Sequence, residues 1–131
     1  MKKTLWLLLT AALFACASAP NPLTQQTGHW RVTHINGTAV SSAFQPTVNF
    51  SDRGALTGSS GCNRYRAPYE TSSSQFNIGP AISTKMACPG DAQHVEYSFF
   101  STLPLLHTLE VVGDTIVMRG RENSSITLQP L

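Results

Sequence analysis

Charge is scarce in this sequence. Only 12% of its 131 residues are Asp, Glu, Lys or Arg, and the formal net charge is +2. A surface so thinly charged has no electrostatic footprint for nucleic acid, whose binding rests on many Lys and Arg contacts to phosphate. Long apolar runs are missing too. The stretch Leu5 to Ala15 is too short for a helix that crosses a bilayer, which needs about 20 apolar residues. Close ligand pairs of the C-x2-C or H-x3-H type are absent, because His29, His34, Cys62, Cys88, His94 and His107 are scattered along the chain. That spacing argues against metal, and no spacing specifies a Cys–His nucleophile pair. No close carboxylate pair or Ser-His-Asp order stands out. Neither Gly58–Gly61 nor Gly113-Asp114 is followed by the helix and the Lys-Ser/Thr of a phosphate loop. These absences point to a chain that is not an enzyme and needs no cofactor. The 41% of hydrophobic residues suffices for one domain with a core.

What is present begins with a segment of different character. Lys2 and Lys3 precede the apolar run, and the small residue Ala15 closes it. This is the build of a secretory signal peptide over residues 1–15. Leu13-Phe14-Ala15-Cys16 resembles the bacterial lipobox. That resemblance implies a diacylglyceryl thioether on Cys16 and an acylated amino group; the alternative is an ordinary signal cleaved within Ala17-Ser18-Ala19. More than one acyl chain anchors stably in a membrane. Ala17, in place of an aspartate, favours the outer membrane by analogy with enterobacterial sorting, with the domain facing the periplasm. Lys2 and Lys3 account for the whole +2, so without them the basic residues balance the seven acidic ones. Residues 16–28 read as a flexible tether of Pro, Ser, Thr, Gln and Gly with no periodicity, whose reach is roughly 20 Å.

Residues 29–131 carry the domain. Trp30, Val32 and His34 alternate with Arg31, Thr33 and Ile35, a strand pattern that is ambiguous at its end, and Asn36-Gly37 is a turn signal. Val48 and Phe50 mark a second strand. Residues 55–58 and 62–69 flank the loop Gly58-Ser59-Ser60-Gly61. Thr71-Ser72-Ser73-Ser74 reads as a polar tip, Phe76 and Ile78 as a short strand, and Ile82 to Met86 as extended chain. Asp91 to Leu103 breaks this rhythm. Ala92, Val95, Phe99 and Leu103 recur at steps of three and four, Asp91 can serve as N-cap, and Pro104 ends the helix. Leu109–Val112 and Thr115–Met118 flank Gly113-Asp114 as a hairpin, and Ser125–Leu128 is the last strand. The expectation is α+β: an antiparallel, partly open β-barrel-like sheet of about seven or eight strands with one inserted helix.

Two segments carry a family resemblance. Gly58-Ser59-Ser60-Gly61-Cys62-Asn63-Arg64-Tyr65-Arg66-Ala67-Pro68-Tyr69 and Thr84-Lys85-Met86-Ala87-Cys88 together resemble the META domain family, which includes HslJ-like bacterial lipoproteins. The family pattern is a glycine-rich turn, Gly-Cys-Asn, then Gly and Tyr, and further on Thr-x-Met-x-Cys. Gly61, Cys62, Asn63, Tyr69, Thr84, Met86 and Cys88 fall on it, and Trp30 with Asn36-Gly37 matches its opening. Ala67 stands where the family usually has glycine; a glycine needed there for positive φ or a bulge would make the local backbone different. The resemblance implies a barrel-like α+β fold, no established enzymatic activity, and an association with stress.

An oxidising compartment makes Cys62 and Cys88 a candidate disulfide, the alternative being two buried thiols. Asn63 and Thr84 are expected to cap backbone groups, with the lip of a binding site as the other reading. His94 and His107 are expected to face solvent or to bond locally. The expected function is that of a non-enzymatic envelope lipoprotein that supports envelope maintenance or stress tolerance by binding an unidentified envelope protein or lipid. The alternatives are a lipid- or small-ligand-binding barrel resembling secretion pilot lipoproteins, which needs an apolar interior cavity, and a hydrolase or redox enzyme using Cys62 or Cys88.

Overall fold

Alternating apolar residues become strands here wherever one face can be buried. The structure, a computed structural model, describes residues 28–51, 53–72 and 75–131. The expected signal peptide, Cys16 and all of the tether except Gly28 lie outside the described residues.

The chain runs through β1 (Gly28–Ile35), β2 (Thr38–Ala39), β3 (Thr47–Ser51), β4 (Ala55–Ser59), β5 (Arg64–Ser72), β6 (Gln75–Ile78), β7 (Ile82–Ser83), α1 (Gly90–Thr102), β8 (Leu106–Val112), β9 (Thr115–Gly120) and β10 (Ser125–Pro130). Eight strands follow one another in the order β6-β5-β4-β3-β1-β10-β9-β8, with β2 added to β1 and β7 to β5. The ladders are antiparallel. The end strands β6 and β8 lie against each other, which makes the sheet a nearly closed barrel. With one helix the fold is α+β, and among the described residues no helix is long and apolar enough to cross a membrane.

Several local differences from the sequence pattern have physical causes. Gly28, read as the end of the tether, already pairs with Phe50 in β3. A register shift between Val32 and His34 resolves the ambiguity at the end of β1: Ile35 turns inward and His34 stays outside. Asp91 is not the N-cap. The helix starts one residue earlier, Pro89 occupies the cap with no side-chain bond, and Asp91 sits in the first turn, where its charge suits the helix dipole. Thr71 and Ser72 belong to β5 rather than to the tip, and only Ile82 and Ser83 of the extended stretch join the sheet. β8 begins at Leu106, earlier than the pattern suggested. Ala67 needs no glycine conformation: the β4–β5 register is unbroken around its pairing with Leu56, and its small side chain is fully buried.

Val32, Val48, Leu56, Ile116, Met118, Ile126 and Leu128 come from successive strands and are almost wholly buried in one cluster. Trp30, Phe50, Phe76 and Phe99 fill the same interior, the packing that weighs against a ligand cavity running through the barrel. The helix delivers Phe99, whose ring lies edge-on to Tyr65 at 5.2 Å, while Phe100 meets the same ring at 5.7 Å. Asn36 and Gly37 both take positive φ, as a two-residue hairpin turn requires. Asn36 also ties distant elements, donating to Thr102 Oγ1 at 3.0 Å and accepting from Ser125 N at 3.0 Å.

The Tyr65 hydroxyl donates to the Thr47 carbonyl at 3.0 Å, and burial pushes its pKa up from the ordinary phenol value. A raised acid pKa means that the folded state holds the proton more tightly than the unfolded chain. The associated stability is therefore complete below about pH 10 and declines as pH rises above it. Tyr65→Phe should cost about 1 kcal/mol at neutral pH and should remove part of the alkaline decline, read from denaturant midpoints between pH 8 and 11.

Candidate functional site

The two motif segments meet at one end of β5. The end of β4 and the loop that follows it each need a glycine. At Gly58 an added Cβ would fall 2.1 Å from the Thr47 carbonyl oxygen, and at Gly61, with φ +104, it would fall 2.6 Å from that of Phe44. Thr47 can approach so closely because Gly58 has no side chain, and its hydroxyl accepts from Ser59 N at 2.9 Å. The loop then places Cys62 with its Cα 6.1 Å from that of Cys88, and the two form a disulfide. Of the readings open for these cysteines, the structure takes the disulfide; a bonded sulfur is neither a nucleophile nor a metal ligand. Among the described residues no group of three or more His, Cys, Asp or Glu could hold a metal ion.

Asn63 is the centre of the site. It is 2% exposed. Its Oδ1 accepts from Thr84 Oγ1 and from Met86 N, both at 2.8 Å. Its Nδ2 donates to Glu96 Oε2 at 3.1 Å, with the Met86 carbonyl at 3.4 Å and Cys88 Sγ at 3.5 Å. Thr84 completes the join: Arg64 N donates to its hydroxyl at 3.1 Å, and its own N–H donates to the Arg64 carbonyl at 3.0 Å. The amide thus clamps the segment from Thr84 to Cys88 against the loop, which is the capping role expected of Asn63 and Thr84.

Ser60 and Glu96 are partners that sequence reasoning missed. Ser60 is fully buried, donates its hydroxyl to Glu96 Oε1, and sends its N–H to the Asn63 carbonyl at 2.8 Å. Glu96 therefore accepts from both the serine and the asparagine and joins α1 to the motif. One signal was available. Glu96 lies four residues after Ala92 and three before Phe99, so a carboxylate sits on the helix stripe that faces the core.

Gly61, Cys62, Asn63, Thr84, Met86 and Cys88 are brought together, and Tyr69 is not. Its ring packs edge-on against Phe50 with centroids 6.3 Å apart, and its hydroxyl donates to the Ser51 carbonyl at 3.0 Å. His94 is exposed, while His107 lies in β8 with Nδ1 3.3 Å from the Leu105 carbonyl. The chemistry available at the motif is hydrogen bonding already committed within the protein.

Surface grooves lie nearby. One of about 390 Å³ separates the β1–β2 hairpin from α1 and is lined by Ile35, Val40, Asp91, His94 and Val95. Another, of about 500 Å³, runs between Pro80, Lys85, Phe100 and Pro104.

The META domain family model matches residues 22–131. The fold is similar to an NMR structure of a protein from Burkholderia xenovorans, with 21% identity, a TM-score of 0.65, and coverage of 92% of this chain and 97% of that one. A second NMR structure is 16% identical with a TM-score of 0.64, covering 82% of this chain and 92% of the other. At such identities the likeness concerns the fold alone. No curated protein matches the chain.

Asn63→Ala should destabilise the domain by about 2–3 kcal/mol, because it strips the Met86 N–H and the Glu96 carboxylate of a buried partner. Asn63→Asp keeps an acceptor but sets a carboxylate against Glu96, so its cost should shrink as pH falls and one of the pair is protonated. Replacing both Cys62 and Cys88 by serine should cost about 3.5 kcal/mol in the chain-entropy model of a loop of this length. Urea titrations of the four proteins check these values.

Proposed function

The chain belongs to the META domain family, and from that premise we propose that it is a non-enzymatic envelope lipoprotein. It is held by lipid on Cys16 at the outer membrane, faces the periplasm, and supports envelope maintenance or stress tolerance by binding an envelope component.

The observation that carries the non-enzymatic reading is the commitment of the motif's polar groups to one another. Asn63 uses both ends of its amide on Thr84, Met86 and Glu96, and Glu96 is also bonded by Ser60. Catalysis needs a group within reach of substrate and free to take or give a proton. Here the corresponding groups are spent on holding a loop. The disulfide supports the compartment, since such bonds persist outside the reducing cytosol. The filled interior favours binding at the outer surface over a ligand within the barrel.

The anchor is tested by metabolic labelling with palmitate in a bacterium that processes lipoproteins. The wild-type protein should take up label and should have lost residues 1–15. Cys16→Ser should take up none and should persist as the longer precursor. A mature chain that begins after Cys16 and carries no acyl group would overturn the reading.

A further inference from the structure

The segment that Asn63 clamps, together with β7 before it and α1 after it, exposes large apolar side chains. Ile82 is 77% exposed, Met86 60% and Tyr97 73%. Exposed apolar groups gathered in one place mark a contact surface more often than scattered ones do. They border one groove: Tyr97 and Lys85 line it together with Ser83, and Ile82 and Met86 are the chain neighbours of Ser83 and Lys85. Met86 is bonded to Asn63 through its backbone, Tyr97 follows Glu96, which Asn63 also binds, and Ile82 pairs with Arg66 two residues past Arg64.

The same region is cationic. Arg64, Arg66 and Lys85 are exposed, and none forms an ion pair among the described residues. Arg66 and Ile82 are directly opposed in the ladder, so their side chains share the outer face of the sheet, and Arg64 lies on that face two residues away. Lys85 lies between Thr84 and Met86, both held by Asn63. Glu96, which lines the same groove as Lys85, has its carboxylate bonded by Ser60 and Asn63. Asp91, in the first turn of α1, lines the groove beside the β1–β2 hairpin, Glu70 lies on the outer face of β5 four residues past Arg66, and Glu110, Asp114 and Glu122 lie on β8 and in the turns that flank β9. Among the described residues, the side with Arg64, Arg66 and Lys85 is therefore cationic.

We propose that this patch docks the domain onto an anionic lipid surface, with Arg64, Arg66 and Lys85 meeting headgroup phosphates and Ile82, Met86 and Tyr97 entering the interface between them. The docking rests on the lipid anchor at Cys16 proposed above. The chain enters the barrel at Gly28, on the pairing row that passes through Phe50 and Leu56 to Ala67, next to the row of Arg66. Three strand spacings, about 15 Å, separate β1 from β5. The reach expected from the tether's sequence is about 20 Å, so an anchor at Cys16 can bring the patch to the bilayer. Each cation near an anionic surface strengthens the contact about fivefold, and the tether keeps the local concentration of membrane high.

Lys85 is the only lysine besides Lys2 and Lys3, so it reports on the patch alone. The acylated full chain is reconstituted into vesicles of phosphatidylcholine, and into vesicles of phosphatidylcholine and phosphatidylglycerol in a two-to-one ratio. Each is treated with a water-soluble amine acetylating reagent, and modification of Lys85 is followed by peptide mass spectrometry. Docking predicts that acetylation slows about fivefold or more in the anionic vesicles relative to the neutral ones. The pair Arg64→Gln and Arg66→Gln should restore the fast rate while vesicle association and the thermal midpoint stay unchanged. Equal rates in the two vesicles with an acylated chain overturn the docking alone. Protection that appears only when an envelope protein extract is added overturns it in favour of a protein partner. A chain that carries no acyl group and floats with neither vesicle overturns the anchor, and the docking with it.

Discussion

One buried amide holds the motif end of this barrel together. Asn63 offers an acceptor and a donor from the same rigid plane, and the surrounding chain uses both. An aspartate would lack the donor and a leucine would lack both, so no other residue of this size fits the position. The dependence is strong because the clamped segment has little else. β7 contributes only two paired residues to the sheet, and the chain from Thr84 to Pro89 has no ladder of its own. Its place is set by Asn63, by the Thr84–Arg64 backbone pairing, and by the Cys62–Cys88 bond.

This arrangement separates two kinds of stabilisation. Inside the barrel, apolar side chains from successive strands and Phe99 from α1 make one cluster, to which a few hydroxyls add directed bonds, among them Tyr65 on Thr47 and Tyr69 on Ser51. Burial there is non-directional and tolerates exchange of shape among hydrophobic residues. At the motif, by contrast, hydrogen bonds of fixed direction decide the path of a loop. Glu96 links the two regimes, since the helix that buries Phe99 on one turn delivers a carboxylate to Asn63 on the turn before. The result is an irregular segment fixed by directed bonds, with Lys85 and Met86 exposed on it.

Much of this was legible in the residues. The alternation of Val48 with Phe50, the turn at Asn36-Gly37, the hairpin at Gly113-Asp114, and the steps of three and four from Ala92 to Leu103 each correspond to an element. Less legible was whatever depends on a neighbour. The register shift after Val32 is imposed by pairing with β10. β2 is two residues long and shows no periodicity. Asp91 looked like a cap because its residue type suits the role, yet the backbone turns helical one residue sooner. Ser60 was invisible as a partner, because a serine in a glycine-rich loop is ordinary in isolation, and Glu96 was marked only by its place on the apolar stripe of the helix.

The sequence by itself determined the class of fold, the helix insertion, and the family through the order of Gly-Cys-Asn and Thr-x-Met-x-Cys. These follow from local periodicity, turn chemistry and motif order, which are written along the chain. Only the tertiary structure decided that Cys62 and Cys88 come within bonding distance, that Tyr69 stands apart from the other motif residues, that Arg66 opposes Ile82, and that Lys85 and Tyr97 line one groove. Those facts depend on distances between residues far apart in the chain. Such distances are set by how the sheet curls and where the helix lands, and no pattern along the chain records them.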